Sequence, residues 1–249
     1  MKIYSGDSIP NRAGLMIGSN KLQSISVCIP VHNRTYDLRR TLPRLIMAAN
    51  SEPPVEIVIL DYNSPDDLQC YIYDTAKSGH LSNDNELVCR RYTGRDYYHM
   101  AHARNLSVMA ASGAIVVIMS ADIYPAVGFF GAVRAGVAEY SWQYDRNYKG
   151  VIACRRDDFV TIGGYDERFE FYGPEDRDLH RRMLAYNGDG GVFPSGLVKV
   201  IRTPDSVKVK NYRLSIGKRE MAKRMSIVFK ENITYNVMVA NNGRKWGQW

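Results

Sequence analysis

Residues 24–34 are SISVCIPVHNR. A largely β-branched, apolar run ends in the polar triplet His32-Asn33-Arg34. The same event occurs twice more. VEIVILDYNS (55–64) ends in Asp61, Asn63 and Ser64, and AIVVIMSAD (114–122) ends in Ser120 and Asp122. Near-continuous apolar runs of this length are characteristic of strands buried on both faces. Helical patterns lie between them. Residues 36–49 place Leu38, Leu42, Leu45, Ile46 and Ala49 at helical spacing, with Pro43 expected to kink or restart the helix. Residues 99–112 form a second amphipathic stretch, with Gly113 as its expected stop. Strand, helix, strand, helix, strand predicts an α/β chain with a mostly parallel, Rossmann-like sheet flanked by helices.

In an open α/β sheet, ligands sit outside the carboxyl ends of the strands. The three runs would deliver Asn33/Arg34, Asp61/Ser64 and Ser120/Asp122 to one rim. One such ending only marks where a strand becomes a loop, but three together predict a ligand site. The chain contains no G-x-G-x-x-G and no G-x-x-x-x-G-K-[ST], so neither a dinucleotide fingerprint nor a P-loop is supported.

With 249 residues, 45% of them hydrophobic, the chain suits one large domain with or without an appendage. No run approaches the roughly 18 apolar residues of a membrane span. MKIYSGDSIPNRAG has no apolar core of a signal peptide, so a cytoplasmic location is expected. Cys28, Cys70, Cys89 and Cys154 are scattered without a C-x-x-C pair, which argues for reduced thiols and against a zinc site. The net charge of +7 is uneven. From Lys199 onward, twelve Lys/Arg stand against three Asp/Glu, while the rest of the chain is slightly acidic. The expected organisation is an irregular arm over 1–23, a domain over 24–205 divided at 122/123, and a basic extension over 206–249. That extension interleaves Lys/Arg with Tyr and Phe, which suits an anionic membrane surface or DNA.

A last stretch, GGYDERFEFYGPEDRD (163–178), sets Glu175-Asp176 directly behind a Tyr-Gly-Pro turn. With Pro174 at the first helical position, Glu175, Asp176 and Asp178 fall in the first turn, where the helix dipole favours carboxylates. Helix-start chemistry alone would account for them.

SVCIPVHNR (26–34), EIVILDYNS (56–64), ARNLSVMAASGAIVVIMSAD (103–122) and GGYDERFEFYGPEDRDLHRRM (163–183) together resemble the family 2 glycosyltransferases and their GT-A relatives. With their spacing they cover roughly residues 24–205. The last is most similar to the galactosyltransferase-type motif G-G-x-[DE]…G-G-E-D-x-[DE]. The resemblance implies a nucleotide-sugar donor, UDP-type favoured, and transfer to an acceptor hydroxyl with inversion. Pro30, Val31 and Asn33 would line the nucleoside pocket, with Arg34 and Ser64 beside it, and Asp61 would bond the base. Arg95, Arg104 and Asn105 would lie near the diphosphate or sugar. Tyr172, Gly173 and Glu175 would bind the acceptor, Gly173 by leaving space, and Asp176 would be the general base. The acceptor would be a saccharide, a lipid-linked glycan or a protein, or, as a minority reading, a hydroxymethylated base in DNA.

Two departures stand out. The family's D-x-D is Ser120-Ala121-Asp122 here, and Thr203 occupies the place of a metal-binding histidine. Asp122 would still hold Mn2+ or Mg2+ with water and phosphate oxygens, or Arg and Lys side chains would stabilise the leaving diphosphate instead. The same departures motivate an alternative, a catalytically inactive nucleotide-sugar or glycan-binding module on the same fold.

Overall fold

The computed structural model describes residues 2–4 and 23–249. In chain order its elements are β1 (Lys2–Tyr4), β2 (Ile25–Val31), α1 (Thr35–Ser51), β3 (Val55–Tyr62), α2 (Leu68–Lys77), β4 (Glu86–Tyr92), α3 (Met100–Met109), β5 (Ile115–Ile118), β6 (Ile123–Pro125) and α4 (Phe129–Tyr140). There follow β7 (Trp142–Tyr144), β8 (Ile152–Arg155), α5 (Arg156–Thr161), α6 (Glu175–Asn187), β9 (Gly191–Val192), β10 (Val198–Val200), α7 (Asp205–Lys208) and α8 (Lys218–Thr234).

Among the described residues, the main sheet has the order β1-β4-β3-β2-β5-β8-β7-β9, and β10 pairs antiparallel with β6. The first five strands in that order run parallel, and β8 turns antiparallel to β5. The three expected strands are therefore β2, β3 and β5, with β2 in the middle. Residues 5–22 of the expected arm lie outside the described residues. Lys2–Tyr4 are not irregular, because they pair with β4, whose outer backbone edge would otherwise lack hydrogen-bond partners.

The strands alternate their side chains between two cores. Val27, Ile29, Ile57, Ile59 and Val117 pack under α1, α2 and α4 with Leu42, Ile72 and Phe130. Cys28, Val58, Val116 and Ile118 pack under α3, α5, α6 and α8 with Val108, Phe159, Leu179 and Met221. Burial on both faces explains the unbroken apolar runs. Cys28, Cys89 and Cys154 are buried free thiols and Cys70 is exposed.

Two local expectations need correction. Pro43 neither breaks nor restarts α1, which runs through it. It sits on the exposed face, where water can satisfy the carbonyl that its missing N–H leaves free. Gly113 does not stop a helix, since α3 already ends at Met109. A side chain at Gly113 would come within 2.8 Å of the Ser26 backbone nitrogen, and its own N–H donates to Ser26 Oγ at 2.8 Å. It is a point of close approach to β2.

The last forty or so residues pack into this body. Met221 and Met225 of α8 are buried in the second core. Asn232 Nδ2 donates to Asp178 Oδ1 (3.0 Å) and Asp166 Oδ2 (3.1 Å). Asp178 also accepts from Arg182 Nε at 2.8 Å, with both side chains fully buried, and Arg182 donates to the Ile162 carbonyl. This network joins α6 to α8. Asp178→Ala leaves Arg182 buried without its carboxylate and is expected to cost about 3–5 kcal/mol in urea unfolding. A loss under about 1 kcal/mol, the size of an ordinary substitution, would show that the network does not hold the two helices together.

Candidate active site

The strand order places the site. From β2 the chain steps outward to β3 and β4, then returns to β5 on the other side of β2. The crevice between the carboxyl ends of β2 and β5 is the topological switch point, where α/β sheets bind ligands. A cavity of about 210 Å³ opens there. One side is formed by Pro30 near the end of β2 with His32 and Arg34 just after it, and by Ser120, Ala121 and Asp122 after β5. Opposite lie Arg104 of α3 and Tyr172, Glu175 and Asp176 at the start of α6. Tyr98 and Met100, which flank the start of α3, also face the cavity.

Other predicted site residues are elsewhere. Val31 is buried within β2. Asn33, at φ 53°, takes its place in the loop by donating from its backbone N–H to Ser64 Oγ at 2.7 Å. Asp61 is fully buried, its Oδ1 accepting from the Ser64 N–H at 2.7 Å, with Arg91 3.4 Å from Oδ2. Burial raises its pKa. It is the penultimate residue of β3, one strand away from the switch point, and as the chain is folded it braces the loop instead of facing the cavity. Arg95 and Asn105 also lie outside the lining. Asn105 clasps the backbone of Tyr165, accepting from its N–H at 2.8 Å and donating to its carbonyl at 2.9 Å. Gly173 leaves no room for an acceptor, because a Cβ there would meet Met225 Cβ at 2.3 Å. Its smallness lets α8 approach.

A further part of the lining comes from the basic C-terminal segment. Pairing of β10 with β6 returns the chain to the end of β5, where the Ile201 N–H donates to the Asp122 carbonyl at 2.8 Å. Beyond it, Asp205, Lys208, Asn211, Tyr212 and Lys218 face the cavity. The interleaving of Lys/Arg with Tyr and Phe suits an anionic membrane surface or DNA, and does not by itself indicate that the segment lines this cavity.

Two charge clusters face each other. At one end, Lys208 Nζ donates to Asp122 Oδ2 at 2.6 Å, and Arg34 Nη2 lies 3.4 Å from the same oxygen. Arg34 also pairs with Asp37. At the other end, Arg104 Nη1 donates to Asp176 Oδ1 at 2.6 Å and lies 3.4 Å from Glu175 Oε1. The Tyr165 hydroxyl donates to the same Asp176 Oδ1 at 3.2 Å. Burial is the largest single influence on Arg104 and opposes its charge, but Asp176, Tyr165, Glu175 and Tyr98 together outweigh it and raise the pKa well above the usual range.

The histidines of α3 serve the core. His99, buried, caps the helix by accepting from the His102 N–H at 3.3 Å, and burial pushes its pKa down to about 3. His102 Nδ1 lies 2.8 Å from the Tyr62 hydroxyl. His180 lies against the Lys149 carbonyl at 3.0 Å.

Solved structures with the same architecture are glycosyltransferases. A mannosyltransferase of Pyrobaculum calidifontis, PcManGT, in complex with GDP-Man and Mn2+, matches with a TM-score of 0.57 at 19% identity over 72% of this chain. The chain has a GT-A fold. It spans 56% of PcManGT. TarS (residues 1–349) of S. aureus, in complex with UDP-GlcNAc, shares the fold with a TM-score of 0.57 at 14% identity, over 88% of this chain and 74% of that one. Glucosyl-3-phosphoglycerate synthase of Mycobacterium tuberculosis, with Mn2+, UDP and glucosyl-3-phosphoglycerate, matches at 0.53 and 16% identity over 73% of each chain. Residues 132–223, which include α6 and Lys208, match the family model described as the N-terminal domain of galactosyltransferase. No curated protein matches the sequence significantly.

Mn2+ accompanies PcManGT and the synthase. The expected metal residue here, Asp122, is poorly suited to a divalent cation because two cationic side chains already face its Oδ2. Thr203 Oγ1 is directed to Asp37 Oδ1 at 2.6 Å. Among the described residues, no three His, Cys, Asp or Glu side chains cluster. This donor set does not fit a resident metal ion.

Burial, then the charge of Asp176, pushes the Glu175 carboxyl from 4.5 up to about 8, against the pull of Arg104. Arg104 stands closer to Asp176 than to Glu175, so its charge stabilises the Asp176 carboxylate more and the protonated form of Glu175 is favoured. Between those two values the folded chain holds one proton more than the unfolded chain, so stability falls as pH rises through the window. Glu175→Gln cannot ionise and is expected to flatten thermal-unfolding temperature against pH between about 4.5 and about 8. Parallel curves for both proteins would assign the proton elsewhere.

Proposed function

We propose that this chain transfers a sugar from a nucleotide-sugar donor to an acceptor hydroxyl with inversion, with Asp176 as the general base. One observation carries the reading. Both hydrogen bonds to Asp176 fall on Oδ1, from Arg104 and Tyr165. Its carboxylate is thus held in a fixed orientation at the cavity edge, and Oδ2 remains available to a substrate. Gly150 preserves that space, since a Cβ there would stand 3.0 Å from Oδ2. General bases work in this way, fixed in place and within hydrogen-bond reach of the proton they take.

The step is a single displacement. The acceptor oxygen forms its bond to the anomeric carbon while that carbon's bond to the donor diphosphate breaks. The electron pair stays on the diphosphate oxygen, and the hydroxyl proton goes to Asp176 Oδ2. Glu175 accepts from the Gly173 N–H at 3.0 Å, which fixes the turn beside the acceptor. Tyr172, part-exposed with Lys218 4.2 Å above its ring, offers an aromatic face at the cavity mouth for an acceptor sugar. The nucleotide-sugars bound by PcManGT and TarS support a donor of this class. A UDP-type donor is favoured, and the acceptor is a saccharide, lipid-linked glycan or protein.

Asp176→Asn keeps the size of the side chain but cannot take the proton. Glu175, 3.4 Å from Arg104 Nη1, remains to pair with that buried charge, and the melting temperature checks that the variant folds. Release of nucleoside diphosphate in the presence of acceptor is expected to slow by about 10²–10⁴-fold, with donor affinity nearly unchanged by calorimetry. Wild-type turnover in this variant would place the base elsewhere.

A further inference from the structure

The disagreement between this donor set and a metal ion has a positive counterpart. We propose that Lys208 and Arg34 neutralise the donor's diphosphate directly, in place of a divalent cation. The inference rests on the glycosyl-transfer reading above and specifies how its leaving group is held.

Four observations converge. The triplet after β5 carries one carboxylate, Asp122, and its Oδ2 is shared by Lys208 at 2.6 Å and Arg34 at 3.4 Å. Arg34 Nη2 is buried with no hydrogen bond among the described residues and meets Asp122 only as an ion pair at 3.4 Å, so its hydrogen-bonding capacity is unfilled beside the cavity. Lys208 is held in this position by the fold. Antiparallel pairing of β10 with β6 brings the chain back over Asp122, and α7 then carries Lys208 onto it. Finally, Lys218 lines the same cavity and pairs with Asp205 at 3.0 Å, adding a further cation near the mouth.

The chemistry is charge replacement. When the anomeric C–O bond breaks, the diphosphate keeps the electron pair and gains negative charge. A guanidinium and an ammonium fixed beside it stabilise that charge by charge-assisted hydrogen bonds. Asp122 serves as their counter-ion before donor binds, holding both cations in position in an otherwise costly buried site. A divalent ion at Asp122 would have to displace Lys208 or stand beside two like charges. Lys208 is about one-third exposed, which gives its head room to turn from Asp122 to a phosphate.

Calorimetric titration of the full chain with UDP, GDP, CDP, ADP and dTDP, in excess EDTA and again in excess manganese chloride, tests this. At least one diphosphate is expected to bind in EDTA with an affinity that manganese changes less than about twofold. Lys208→Met is expected to weaken that binding on the order of tenfold to a hundredfold. Asp122→Asn, which frees both cations, is expected to bind as tightly or more tightly. A metal held by Asp122 requires the opposite for Asp122→Asn. Binding that appears only with manganese, or an unaffected Lys208→Met, overturns the inference and leaves the glycosyl-transfer reading standing. Failure of every diphosphate in both buffers overturns that reading, and this inference with it. Lys208 is partly exposed and Arg34 remains beside Asp122, so its variant should fold, and a single cooperative thermal transition confirms it.

Discussion

Arg104 is the hinge of the arrangement. It is almost fully buried, and a buried guanidinium is tolerated only if it is paired. Its partner, Asp176, stands at the start of α6, seventy-two residues further along the chain. The Tyr165 ring lies 4.9 Å from its guanidinium carbon and completes the environment. The next residue, Asn105, clasps the Tyr165 backbone. Two adjacent side chains on α3 therefore fix both the loop before α6 and the carboxylate at its tip. The half of the fold that ends at β5 is joined to the half that carries Asp176 by a charge that has no cheaper partner.

The same economy governs the opposite end of the cavity. Asp122 is buried after β5 and would be costly alone, and Lys208 and Arg34 offset it. Lys208 arrives from a segment whose surplus of Lys and Arg suggests a detached, solvated extension. Two of its cations, Lys208 and Lys218, line the cavity, while Arg219, Lys223, Arg224 and Lys230 are exposed on the outer face of α8. The helix's inner face carries Met221, Met225 and Asn232 into the core. A bulk charge count cannot separate these two sets, because which face a lysine occupies depends on what the helix packs against.

Much of the candidate site could be read from the sequence. Pro30, Arg34, Arg104, Ser120, Ala121, Asp122, Tyr172, Glu175 and Asp176 all face one cavity. Asp61 illustrates where such reading stops. Its position after an apolar run is as suggestive as that of Asp122. Strand order, however, puts β3 beyond the switch point, and its carboxylate closes on the backbone of Ser64. Gly173 is a second case. Its lack of a side chain is visible in the sequence, but the Met225 side chain that fills the space comes from α8.

By itself the sequence determined the alternation of strand and helix, the parallel centre of the sheet and the acidic start of α6. These follow from local periodicity and turn chemistry, which each segment carries within itself. Tertiary structure alone decided which polar strand ends share a cavity, that the basic C-terminal segment forms one of its walls, and that Asp122 meets a lysine and an arginine. Those outcomes depend on strand order and on pairings across tens of residues, such as β10 with β6. Such pairings are set by the mutual burial of surfaces, and no single stretch of the chain encodes them.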